Sequence, residues 1–233
     1  MKAKYISFEG IDGAGKSSHI APLAALLGYA GHQVVTTREP GGTDVAEKLR
    51  VILLHEYMSP LAETLLMFAA RKENLERVIL PALLSGKTVI SDRFTDSSFA
   101  YQGGGKGVKE TDLNALENMV QDVGGELIQP DLTLWFDLDP REAAARRATA
   151  RQADKFESED VDFFERVRNA YLRRQEASCG RIVRIDASRP IDAVWFSVMT
   201  EVEKAGILSR QAVNQVDAVA RPFTAEGTLR LAA

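Results

Sequence analysis

Five short apolar runs punctuate the chain, Tyr5 to Phe8, Val34 to Thr37, Thr88 to Ser91, Leu132 to Asp137 and Ile182 to Ile185. Each is rich in β-branched or aromatic residues and has the length of a buried strand. Between them apolar positions recur at helical spacing, over Lys16 to Tyr29, Asp44 to His55, Pro60 to Ser85, Glu110 to Val123, Pro140 to Ala150, Val161 to Glu176 and Pro190 to Lys204. Pro60, Pro140 and Pro190 stand near helix starts, where a missing N–H costs nothing. The alternation predicts an α/β fold, a largely parallel sheet of about five strands with helices on both faces. Ligands of such sheets bind beyond the carboxyl ends of the strands, so the residues that follow each run carry the candidate chemistry.

The first run leads into Gly10-Ile11-Asp12-Gly13-Ala14-Gly15-Lys16-Ser17, which fits the phosphate-loop pattern G-x-x-x-x-G-K-[ST]. Glycines let the backbone wrap a phosphate, successive N–H groups point inward, and the following helix presents its positive end. Lys16 is expected to reach the β/γ-phosphates of ATP and the Ser17 hydroxyl to ligate Mg²⁺. The second run is followed by Arg38-Glu39-Pro40-Gly41-Gly42-Thr43, a tight turn whose arginine and glutamate could orient a phosphate or pair with each other. After the third run, Asp92 is placed to act on Mg²⁺ through its waters and Arg93 to clamp an anion bidentately. The alternative is a surface Asp–Arg pair. Tyr101 to Gly107 then reads as an aromatic ring, an amide and a flexible glycine loop, with Tyr101 equally suited to a core.

Composition narrows the partners. With 233 residues, 45% of them hydrophobic, the chain can bury one good core, and no repeat or linker divides it, so one domain is expected over residues 1–206. A net charge of −4 argues against nucleic-acid or anionic-membrane binding and suits small nucleotides held in a local basic pocket. Cys179 is the single cysteine, and His19, His32 and His55 lie apart from it without metal-ligand spacing, so neither an intrachain disulfide nor a zinc site is expected. The stretch after Lys2 and Lys4 is too short for a signal-peptide core, and no segment approaches the roughly 20 apolar residues of a membrane span. A cytoplasmic location follows as the default.

These motifs, in this order, resemble the bacterial thymidylate kinases, phosphate-loop nucleoside monophosphate kinases that phosphorylate dTMP with ATP. Thr37 to Thr43 is similar to the family's T-R-E-P-G-G-T, and Asp92-Arg93-Phe94 with Ala100-Tyr101-Gln102-Gly103 to its D-R-[FHY] and A-Y-Q-G. Pro130 to Leu134, and Asp162-Phe163-Phe164 with Arg166 and Arg168, match as well. The resemblance implies that Asp12 meets the 3′-hydroxyl of the deoxyribose, that Arg50, Arg71 and Arg93 surround the acceptor phosphate, and that Glu39 joins the same site. It implies further that Phe68 stacks on thymine, that Ser98 and Gln102 approach the base edge, and that Tyr101 crowds the 2′ position. Many relatives carry the stacking aromatic four residues before the arginine, a place held here by Met67, with Phe68 three before. Both positions can share the Arg71 face of a helix.

A lid is implied over about 146–160, with Arg147 and Arg151 as candidates to reach the phosphates. Some relatives carry an arginine at the position of Gly13, and those without one draw the charge from the lid. A homodimer is implied too, and residues 207–233 are expected to form a frayed tail, with only a weak amphipathic pattern in Val213, Val216 and Val219. Two other readings share the phosphate loop. One is a kinase of another small molecule; the other is a nucleotide switch, for which Asp122-Val123-Gly124-Gly125 formally fits D-x-x-G but follows a predicted helix, with no N-K-x-D motif anywhere.

Overall fold

A computed structural model describes residues 3–147, 155–156 and 159–210, with only the backbone of Arg147. All five expected strands form: β1 (Tyr5–Glu9), β2 (Val34–Arg38), β3 (Thr88–Asp92), β6 (Leu132–Asp137) and β7 (Ile182–Asp186). They make one parallel sheet in the order β2-β3-β1-β6-β7. Strand β1 is central, aligned with β3 from Tyr5↔Val89 to Phe8↔Asp92 and with β6 from Ile6↔Leu132 to Glu9↔Trp135. Its side chains alternate between faces as a strand requires. Ile6 and Phe8 enter the main core with α1 (Ser17–Tyr29) and α9 (Ile191–Lys204), whereas Tyr5 enters a smaller cluster with Leu75, Ile79 and Phe94.

The helix predicted over Pro60 to Ser85 is continuous but not uniform: α3 (Pro60–Asn74) runs through a π-helical turn, Leu75–Ile79, into α4 (Leu80–Leu84). Pro81 lies in the first turn of α4, and its missing N–H accounts for the widened turn before it. Residues Glu110–Gln121 form α6, but Asp122–Val123 leave the helix as β4 and pair antiparallel with β5 (Glu126–Leu127). The D-x-x-G match is therefore a tight turn, with Asp122 Oδ1 accepting from the Gly125 amide at 2.9 Å.

The stretch read as a flexible glycine loop is helical. After α5 (Thr95–Ser98) comes a π-helix, Phe99–Gly105, seated on α8 (Val161–Ala177). The glycines there serve close packing: a Cβ on Gly104 would lie 2.4 Å from Ala170 Cβ. The C-terminal boundary also moves. Ile207 and Leu208 are buried in the main core, so the compact body continues past 206; the rest of the expected tail, 211–233, lies outside the described residues. Among the described residues no helix is long and apolar enough to cross a membrane.

Candidate active site

Between the end of β1 and the start of α1 the loop Gly10–Lys16 turns back beyond the carboxyl edge of the sheet. Gly10 (φ +135°) is required twice over, because its backbone is left-handed and an added Cβ would meet the Phe136 carbonyl oxygen at 2.4 Å. Gly13 and Gly15 also have positive φ. The amides of Ala14, Ser18 and His19 are satisfied inside the turn, while those of Gly13, Gly15, Lys16 and Ser17 meet no acceptor among the described residues. Lys16 is buried, its Nζ donating to the carbonyls of Gly10 (2.9 Å) and Ile11 (3.0 Å). Burial, and then the Arg93 charge, bring its ammonium down to about 8. An anion at this loop would therefore meet free amides and a poorly solvated cation.

Arg93 connects the loop to a cleft lined by acceptor-site candidates from several elements. Its backbone is left-handed (φ 70°), an uncommon state for a non-glycine residue. The guanidinium donates from Nη1 to Gly10 O (2.8 Å) and Ser97 Oγ (3.1 Å), and from Nη2 to Asp12 Oδ1 (2.6 Å) and Tyr101 OH (3.2 Å). Its partner is thus Asp12, not the adjacent Asp92. Burial alone would raise the Asp12 carboxyl, but Arg93 and Lys16 hold it well below the usual carboxylate range. Asp12 Oδ2 also accepts from Tyr101 OH at 3.0 Å. The Asp92 side chain makes no hydrogen bond among the described residues, and its charge acts on Lys16, Arg38, Arg50 and Arg93.

At the far wall Glu39 is buried and takes Arg71 Nε at 2.7 Å and Asn74 Nδ2 at 3.2 Å. Burial, only partly offset by Arg71, raises its carboxyl. Arg38 and Glu39 do not pair with each other: neighbouring strand-end residues point to opposite sides, and Arg38 binds Glu47 of α2 (Asp44–His55) instead. Arg71 Nη2 reaches Phe94 O (3.2 Å) and Ser98 Oγ (3.0 Å), but its Nη1 is buried with no hydrogen-bond partner among the described residues. Arg50 lines the cleft and donates to Pro40 O at 2.9 Å.

Phe68 does not line the cleft. Its ring is 2% exposed and packs with Phe99, Leu113 and Val120, while the Arg71 guanidinium lies 4.5 Å from its centroid on the other side. One helical step, about 100°, separates Phe68 from Met67, and it is Met67 that shares the cleft face with Arg71. With Leu54 and Phe156, Met67 forms the apolar wall. Ser98, Tyr101 and Gln102 reach the cleft from successive turns of the α5–π segment. Arg151 and the side chain of Arg147 lie outside the described residues.

The comparisons with known proteins decide the family. Residues 8–197 match the family described as Thymidylate kinase. The chain belongs to that family. It is 54% identical over 199 residues to the thymidylate kinase of Methylobacillus flagellatus, covering 85% of this chain and 96% of that one. To the thymidylate kinase of Ralstonia nicotianae it is 55% identical over 198 residues, covering 83% and 95%. A crystal structure of thymidylate kinase from Ehrlichia chaffeensis has a similar fold, with a TM-score of 0.68 at 32% identity over 86% of this chain and 98% of that one.

Several residues of this site escape a reading of motifs alone. Glu9 is wholly buried and accepts from the Phe94 amide (2.8 Å), Ser97 Oγ (2.5 Å) and Tyr171 OH (2.8 Å), bracing the residues around Arg93. Burial, with Asp96 nearby, raises its carboxyl to about 7. Its signal was a charged residue closing an otherwise buried strand. Glu63, Met67 and Arg71 stand four apart on α3, a helical stripe visible once the helix face is known.

Proposed function

We propose that the chain transfers the γ-phosphoryl group of ATP to dTMP, giving ADP and dTDP, with Mg²⁺ as the metal. The observation that carries this reading is Arg93, which touches both the phosphate loop at Gly10 and the nucleotide cleft at Asp12 and Tyr101. Phosphoryl transfer between two anions is mainly a matter of in-line positioning and charge neutralisation. The free loop amides and Lys16 suit the donor's phosphates; Arg93 and Arg50 suit the acceptor phosphate. An oxygen of that phosphate attacks the γ-phosphorus as its bond to the ADP oxygen breaks, with no covalent enzyme intermediate. Ser17 and Asp92, whose side chain makes no hydrogen bond among the described residues, offer one hydroxyl and one carboxylate, the oxygen set that Mg²⁺ takes alongside waters and substrate phosphates. When bound, the ion neutralises charge on the transferring group. Asp12 and Tyr101, 3.0 Å apart, would receive the deoxyribose, the carboxylate at the 3′-hydroxyl and the ring against C2′.

We assign Arg71 to the base rather than to the acceptor phosphate. It touches nothing in the phosphate loop, two of its nitrogens are held by Glu39, Phe94 and Ser98, and its unpartnered Nη1 is a donor waiting for a neutral acceptor such as a thymine carbonyl. Met67, Leu54 and Phe156 would cover the base faces. A panel of deoxy- and ribonucleoside monophosphates with ATP and Mg²⁺ tests the reading: dTMP should be turned over best, and efficient turnover of another monophosphate with none of dTMP overturns it.

We also propose a homodimer, working in the cytoplasm. Val45, Val51 and Ile52 of α2 and Leu61 and Leu65 of α3 are exposed on two helices packed side by side, an apolar surface that a second copy would cover. Sedimentation should give twice the chain mass, and a monomer at micromolar concentration refutes the pairing.

A further inference from the structure

Glu63 lies on α3 two turns before Arg71 and is completely buried. A carboxylate removed from water is costly unless cations and hydrogen bonds surround it. Three donors converge on this one: Lys106 Nζ and Lys155 Nζ, each 2.8 Å from Oε2, and Gln102 Nε2, 3.0 Å from Oε1. Burial opposes the charge, but the hydrogen bonds from Lys106, Lys155 and Gln102 outweigh it and hold the carboxyl below its ordinary value. Glu63 is therefore ionised at neutral pH and can only accept.

That polarity passes to its neighbour. An acceptor-only carboxylate takes the NH₂ end of the Gln102 amide and excludes the C=O end. Gln102 also lines the cleft, and nothing among the described residues donates to its Oε1. The end left for a ligand is an acceptor, four residues along the helix from Ser98, which holds Arg71. We propose that Glu63 is a positioning residue that fixes the Gln102 amide with its oxygen toward the base, so that an acceptor on Gln102 and a donor on Arg71 together select thymine over cytosine. Thymine offers N3–H and O4; cytosine reverses both, with a bare N3 and an amino group at C4. The inference rests on the cleft being the dTMP site. Lys155 serves the same cluster in another way. It also donates to Glu56 O at 2.7 Å and seats the adjacent Phe156, whose ring centroid is 5.1 Å from its ammonium.

The test is the ratio of kcat/KM for dTMP to that for dCMP, with ATP saturating. In Glu63→Gln the carboxylate becomes an amide that can accept from the NH₂ end of Gln102 or donate to its C=O end, and the ratio should narrow by about tenfold or more. The change should fall mainly on KM for the monophosphate, with KM for ATP unmoved. Lys155→Met, which leaves Lys106 to neutralise Glu63, should weaken both nucleotides alike and keep the ratio. Gln102→Met carries the test if Glu63→Gln fails to fold, because it removes the acceptor without touching the ion cluster: the ratio should collapse similarly. An unchanged ratio in a folded Glu63→Gln or Gln102→Met variant overturns the inference, as does Lys155→Met narrowing it equally. A wild-type protein inactive on dTMP would instead defeat the reading of the site on which this rests.

Discussion

At the loop end of the cleft the groups facing a ligand are backbone amides and one ammonium, drawn from the consecutive residues Gly10 to Ser17. At the acceptor end they are side chains brought from the turn after β2, from α2, α3 and the α5–π segment, and from Phe156. The first arrangement needs a strand, a helix and glycines between them. The second needs the whole fold, and it is fastened by ion pairs: Arg71 with Glu39 and Lys155 with Glu63 are buried on both sides, while Lys106 with Glu63 and Arg93 with Asp12 are partly exposed. Breaking one partner of a buried pair leaves a charge stranded away from water, at a cost of about 3–5 kcal/mol. Substitutions at the loop should therefore cost activity without stability, and substitutions at the acceptor end should cost both.

The sharpest separation is expected at Lys16. Among the described residues its Nζ is held by two loop carbonyls, and Asp12, whose charge it also offsets, keeps Arg93 as a partner, so Lys16→Ala strands no buried charge. In the transition state, however, negative charge spreads over the transferring oxygens, and loss of a donor there costs about a thousandfold in kcat. Coupled ADP-release assays should show that drop with the thermal midpoint almost unmoved. A fall in midpoint as large as that of Glu39→Ala would erase the distinction between the two ends.

Gly13 gives the loop no arginine of its own, and the expectation that Arg147 or Arg151 supplies one is open to test. Arg151→Ala should lower kcat by at least about a hundredfold while changing KM for ATP far less. Arg147→Ala is the comparison, and the larger effect identifies the residue that reaches. Near-normal kcat in both single variants and in the double variant would make these arginines a solvated face.

At the acceptor end Tyr101 is held by Asp12 and lies beneath the Arg93 guanidinium, 5.0 Å from ring centroid to carbon. A ring fixed there leaves no space for a 2′-hydroxyl. Tyr101→Ala should narrow the preference for dTMP over its ribose counterpart by about tenfold. An unaltered preference returns Tyr101 to a purely structural part.

The same contrast explains what the sequence made legible. The five strands were visible because each is a short run rich in β-branched or aromatic residues, with the central β1 and β6 buried along their whole length, and the phosphate loop because all its ligand-facing groups are contiguous. The acceptor site was only partly visible. Arg71 and Phe68 are three apart on one helix, yet Phe68 turns into a cluster with Leu113 and Val120 of α6, a neighbour no local pattern announces. Gly104 and Gly105 read as flexibility because their reason, close approach to Ala170 and Phe163 of α8, lies far along the chain. Glu63 looked like one more charge on a helix until Gln102, Lys106 and Lys155 were folded around it.

A last prediction separates the two ends by pH. Behind the loop His19 is 2% exposed, its ring 5.4 Å from Phe136 and stacked on Trp195 at 6.1 Å between centroids. Burial lowers its imidazole from 6.5 to about 4, so in the fold it stays neutral where the unfolded chain takes up a proton. Its contribution to stability is full above pH 6.5 and is lost as the pH falls toward 4, amounting to about 1 kcal/mol between pH 7 and pH 5.5. The acceptor-end carboxylates Asp12 and Glu63 lie below their ordinary values, so they remain ionised in both states over that window and contribute no change. Glu9, raised to about 7, works in the opposite sense, since protonation favours its buried form. The measurement that isolates the imidazole is therefore the difference between wild type and His19→Leu in urea unfolding at the two pH values. Wild type should lose about 1 kcal/mol more than the variant on acidification. Equal losses would mean that the wall behind the phosphate loop is indifferent to protons, and the contrast between a neutral, packed donor end and an ion-paired acceptor end would lose its support there.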